Sequence, residues 1–307
     1  MRRCARRDPR RARTDRPNRS TDHGADAMTT KRFPGLSTRT MWAMSAAITA
    51  LAIVAACGED ESRNRHAIRT GGEKGASKSS GAAVTLKKVD PATAGTISGV
   101  VKFEGTPPPR EPIDMSANVD CMKMAGGEQS YKEDLVVADG KVEYAFLFLD
   151  VKDSYEVPAE SALIDQRGCR YHPHVMGIQA GQSFDIKSSD PTSHNVHYIG
   201  KPEANDEQNF AMTKPMTKTV KFVAEEGMLK FKCDVHPWMG AWVGIKTHPF
   251  FATSAADGTY TIKNVPPGEY ELKLHHENLK LAGADQTVHV KVETGKTTTQ
   301  DFSLKLK

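Results

Sequence analysis

"MLKFKCDVHPWMGAWVGIKT", residues 228–247, alternates, turns and alternates again within twenty residues. Leu229, Phe231 and Cys233 fall on one face of an extended segment and Lys230 and Lys232 on the other, because strand side chains alternate with period two. The thiol is therefore predicted to point inward at the strand's end. Pro237, with a fixed φ and no backbone donor, and Gly240, free to bend, predict a tight turn before the next strand. Such a turn gathers Cys233, His236 and Met239 around one point. Thiolate, imidazole and thioether together select copper, since zinc sites seldom use Met and usually want a second Cys or His nearby. A second imidazole is needed from another loop, and "SDPTSHNVHY", residues 189–198, offers His194 at the start of a strand.

Outward from this stretch the same short alternation recurs, bounded by Gly, Pro, Asn and Asp. "TISGVVKF", "KVEYAFLFLDV", "HVMGIQA", "SFDIKSS", "KTVKFVA", "GTYTIKNV", "YELKLHH", "TVHVKVE" and "TQDFSLKL" all read as strands, and no long helix is predicted. Many short strands at this spacing point to β-sandwiches rather than βαβ units. The run Tyr144 to Leu149 is apolar on both faces and is predicted to sit in the middle of a core.

"PTSHNVHYIG" followed by "CDVHPWMGAWVGI" resembles the type 1 copper site of cupredoxins, most closely that of the amicyanins. The resemblance spans roughly 165–246 and takes in "GIQAGQSFDI" and "PMTKTVKF"; Ser193 stands where that group often has proline. It implies one type 1 copper ion, with His194, Cys233 and His236 as equatorial ligands, Met239 as the weak axial one, and Asn195 tying the two ligand loops together. It also implies that, of the two histidines, His236 lies nearest the surface, and its apolar neighbours Pro237, Trp238 and Trp242 are the expected docking patch for a redox partner protein. "ADGTYTIKNVPPGEYELKL" with "VHVKVETGKTTTQDFSLKL" resembles the carboxypeptidase regulatory-like domain, a small transthyretin-like sandwich. That family's opening strand often reads like "GTISGVVKFEGTPPP", which here lies at 95–109, so a nested arrangement follows. The expected fold class is thus all-β: a cupredoxin-like Greek-key β-sandwich over 95–246, with 95–109 available to the other module, plus a smaller transthyretin-like β-sandwich over 247–307.

The N-terminal third reads differently. Residues 1–27 hold nine arginines and no apolar periodicity, which suits either a basic arm or, better, an over-called start ahead of Met28. Residues 28–56 show a basic flank, an apolar run from Met41 to Ala56 and small residues before Cys57, the pattern of an export signal. Val54-Ala55-Ala56-Cys57 resembles the bacterial lipobox, which implies a lipidated Cys57 and a protein anchored to the inner or outer membrane at the periplasmic face of the cell envelope; ordinary cleavage is the alternative. Residues 57–94, rich in Gly, Ser, Lys and Glu, are predicted to be a flexible tether. Of the whole chain's net charge of +4, residues 1–27 carry +5 and 28–56 carry +3, leaving −4 from Cys57 onward. Nucleic-acid binding loses its main support there. In an oxidising compartment, with Cys57 lipidated and Cys233 in the turn, the simplest pairing for Cys121 and Cys169 is a disulfide.

The remaining histidines are weaker signals. His197 shares a strand face with His194 but reads as a rim residue, and His172 with His174 suits a second metal only if further donors join them. His276 falls with Leu272 and Leu274, as a core histidine does, and His275 on the solvent side. Nothing around the copper motif supplies an acid/base pair, so a one-electron carrier is expected rather than an enzyme. The alternatives are a copper-binding or copper-delivering lipoprotein, for which Met212 and Met216 are few, and a β-sandwich interaction protein with a vestigial site.

Overall fold

The computed structural model describes residues 85–201 and 205–307. The basic extension (1–27), the signal segment (28–56), Cys57 and most of the tether lie outside the described residues. No described helix is long and apolar enough to cross a membrane. Apart from the six-residue helix Val119–Met124, the regular structure among the described residues is β.

Four sheets form two sandwiches. One pairs a five-stranded sheet, in the spatial order Gln208–Met212, His194–Tyr198, Glu226–Lys232, Gly240–Lys246 and Val175–Gln179, with a four-stranded sheet of Met216–Lys221, Ser183–Ser188, Ala162–Gln166 and Tyr171–His172. The alternation that predicts these strands also fills their core. Phe184, Ile186, Leu229 and Phe231 point inward with Ile164 and Val243, while Lys187 and Lys230 face solvent. "ALIDQ" and "QNFAM", which the strand reading passed over, supply Ala162–Gln166 and Gln208–Met212.

The second sandwich is assembled from distant parts of the chain. Gly95–Glu104 pairs antiparallel with Thr259–Val265 and Lys141–Glu143, and parallel with Thr297–Thr299 and Phe302–Leu306. The facing sheet runs Phe251–Thr253, Phe146–Leu149, Gly268–His275 and Asp285–Val292. Gly95–Glu104 joins this sandwich, as the nested arrangement expects, and Val136–Ala138, Lys141–Glu143 and Phe146–Leu149, expected within 95–246, join it as well. Ile97, Val101, Leu147 and Leu149 bury themselves against Tyr260, Ile262, Leu272 and Leu274. Residues 162–246 are an insertion between two strands of this sandwich.

Two further departures have local causes. The continuous strand expected over 141–151 breaks at Tyr144, which takes a left-handed φ of 68°. Ser254 stabilises the break, its hydroxyl accepting from Ala145 N at 2.9 Å and donating to Val142 O at 2.8 Å. The chain crosses from one sheet to the other at that point. The tether also ends before Ala94: Lys87 bridges to Tyr155, and Val89 packs on the second core.

The sandwiches meet on a pair of glycines. Gly177 and Gly244 are register partners in neighbouring parallel strands. A Cβ on Gly244 would lie 2.4 Å from the ring of Phe146, and one on Gly177 2.4 Å from the ring of Phe251. Only a bare backbone lets these rings seat there.

Candidate metal centre

The strand Glu226–Lys232 delivers Cys233 inward in step with the buried Leu229 and Phe231. A compact turn follows, closed by Met239 N donating to His236 O at 2.9 Å and Cys233 N to Met239 O at 3.2 Å. His194 opens the adjacent strand, His194–Tyr198, which pairs with Glu226–Lys232. The two elements bring His194, Cys233 and His236 together, with one donor atom of each within 4.8 Å of the others and all three buried. His194 Nδ1 lies 3.0 Å from His236 Nδ1, and Cys233 Sγ lies 3.7 Å from His236 Nδ1. Met239 is buried at 2 % exposure in the hydrophobic core that also contains Cys233.

Each donor is held from behind. Asn195 N donates to Cys233 Sγ at 3.4 Å, and its side-chain oxygen accepts from Asp234 N, so Asn195 joins the two loops. His194 Nε2 meets Asp190 Oδ2 at 2.8 Å, and the same carboxylate accepts from Gly168 N and Cys169 N. The Tyr171 hydroxyl lies 3.2 Å from the carbonyls of both Asn195 and Lys232, the residues flanking His194 and Cys233. Asp190 and Tyr171 went unread in the sequence, although Asp190 stands only four residues before His194.

Burial alone would depress the His194 imidazole, but hydrogen bonds to Asp190 and Cys233 outweigh it and push it up to about 9. Burial likewise favours the neutral Cys233 thiol, yet the contacts from His194 and the Asn195 amide bring it below its ordinary value. His236 is held down by burial and by the neighbouring His194. The two groups thus shift each other toward imidazolium and thiolate.

His194 and His236 are equally closed to solvent, and His236 is 1 % exposed. The cause is the segment between Glu104 and Val136, which carries the helix Val119–Met124 over it. Asn118 caps that helix by accepting from Cys121 N at 3.1 Å and contacts His236 Nε2 through its amide nitrogen at 2.8 Å. Cys121 is joined to Cys169 by a disulfide. The expected docking patch is open in part. Pro237 is exposed, but Trp238 is half-buried with its indole N–H on Cys169 O at 3.1 Å, and Trp242 donates to Glu277 of the second sandwich at 2.6 Å.

The other histidines stay apart from the triad. His197 lies between Asp234 and Glu207 at 2.8 and 2.7 Å. His172 contacts Arg167 O, while His174 contacts Gly240 O and Glu277, so this pair shares no common donor cluster. His275 pairs with Asp285, and His276 is 1 % exposed. Met212 is fully buried and Met216 is 37 % exposed.

A family model described as the second beta sandwich domain of BOS complex subunit NOMO1-like proteins matches residues 248–306. No curated protein matches the chain. Among solved structures, a mutant of amicyanin in its Cu(I) form is 16 % identical, covering 33 % of this chain and 98 % of its own, with a TM-score of 0.26. A purple cupredoxin from Nitrosopumilus maritimus is 21 % identical over 28 % of this chain and 99 % of its own, at 0.24. A copper-containing nitrite reductase from Thermus scotoductus SA-01 is 13 % identical over 36 % of this chain and 25 % of its own, at 0.26.

Proposed function

We propose that the chain is an exported, membrane-tethered type 1 copper protein that carries one electron at a time for a redox partner protein, rather than an enzyme. The observation that carries this reading is the buried meeting of two imidazoles and one thiol from two loops. This donor set fits one copper ion, which His194, Cys233 and His236 would hold, with Met239 as a fourth, weaker donor. Copper supplies the one-electron exchange between its Cu(I) and Cu(II) states.

The chain's own residues make that exchange fast by not moving. Asp190 fixes His194, Asn118 fixes His236, and the Asn195 amide fixes Cys233. Outer-shell partners of this kind orient metal ligands and tune their basicity. With His236 covered, the partner's electron enters over the half-exposed Trp238, whose ring centroid lies 5.2 Å from that of His236. The second sandwich carries the copper sandwich as an insertion, and the tether at Cys57 holds both at the envelope.

Repeated oxidation and reduction of the copper-loaded chain in the presence of a Cu(I) chelator separates a carrier from a delivery protein. A carrier shows a single one-electron wave and keeps its metal through the cycles. Loss of copper to the chelator on first reduction would refute the carrier reading.

A further inference from the structure

The disulfide beside the triad is wired to both ligand histidines. Cys121 connects through Asn118 to His236, and Cys169 connects through Asp190 to His194. The two sulfurs and a ring nitrogen of His236 lie within 4.8 Å of one another, all buried. As a disulfide the sulfurs are poor donors, but two thiolates and an imidazole are a soft ligand set. Their Cα atoms are 5.5 Å apart, a span that suits two thiolates on one metal at about 2.3 Å each. Both cysteines are fully buried, and a surface pocket of about 560 Å³ is lined by their near neighbours in the chain, Met124, Ala125, Gly168 and Arg170.

We propose that reduction of Cys121–Cys169 creates a second soft-metal site, formed by Cys121, Cys169 and His236, that takes Cu(I). A dithiol reductant supplies two electrons and two protons: the S–S bond breaks, two thiols form, and the reductant closes its own disulfide. Cu(I) then binds the two sulfurs and releases the thiol protons. This site does not depend on copper at the first triad.

The test uses the full chain carrying Cys4→Ser, Cys57→Ser and Cys233→Ser, so that Cys121 and Cys169 are its only cysteines. One sample is kept oxidised; the other is reduced anaerobically with dithiothreitol and desalted. Thiols are counted by iodoacetamide labelling and mass, and fold is followed by circular dichroism. Titration with Cu(I) against the chromophoric chelator bicinchoninate is expected to show one equivalent held by the reduced chain and none by the oxidised one. Adding Cys121→Ser should abolish the uptake. Equal uptake in both states, uptake that survives Cys121→Ser, a disulfide that resists the dithiol in the folded chain, or loss of the β signal on reduction would each overturn the proposal.

Discussion

Asn118 shows how one side chain changes the reading of the site. Its oxygen caps a helix, and its amide nitrogen touches His236. Asn118→Asp keeps a good cap but places a carboxylate beside the imidazole. With copper bound as proposed, a negative charge there favours Cu(II), by about 2 kcal/mol at an effective dielectric near 20, so the reduction potential should fall by roughly 100 mV. Redox titration checks this, and an unchanged potential would remove Asn118 from the site. Asn118 lies 118 residues before His236, and no spacing connects them. Cys233, His236 and Met239 were legible because they fall within one turn after an alternating strand. The cover over His236 was not, because residues 105–135 carry no periodic pattern and the resemblance spans only about 165–246.

At the scale of elements, alternation reveals most strands and says nothing about which sheet each joins. "KVEYAFLFLDV" reads as one strand, but the left-handed Tyr144 divides it between two sheets. Period two carries no signal for a positive φ at a tyrosine. The glycine seat at Gly177 and Gly244 was equally unreadable, since its reason is a ring arriving from another sandwich. Gly244→Ala forces a methyl into the ring of Phe146 and should destabilise the fold by about 1–3 kcal/mol. Denaturant unfolding measures this, and an unchanged midpoint would show that the two sandwiches do not seat as described.

Over the whole molecule, two buried histidines outside the triad link stability to pH. Burial pushes His248 and His276 down to about 4, and each is 1 % exposed. The unfolded chain therefore binds protons that the folded one refuses. Their stabilising contribution is complete above the ordinary histidine range near 6.5 and is lost as pH falls toward 4. At pH 5 each costs about 2 kcal/mol. His276→Gln should accordingly flatten the fall in thermal midpoint between pH 7 and 5, and an unaltered slope would contradict the burial of a neutral His276. The nesting of residues 162–246 within the other sandwich gives these changes a common target, because both cores belong to one continuous chain path.

Visible absorption and EPR of the full chain titrated with Cu(II), alongside Cys233→Ser, decide whether the thiolate holds copper. An intense blue band with narrow copper hyperfine splitting is expected at one equivalent, lost in the variant because the band needs the thiolate. A colourless protein, or pale tetragonal copper unaffected by the substitution, would contradict a thiolate-held copper.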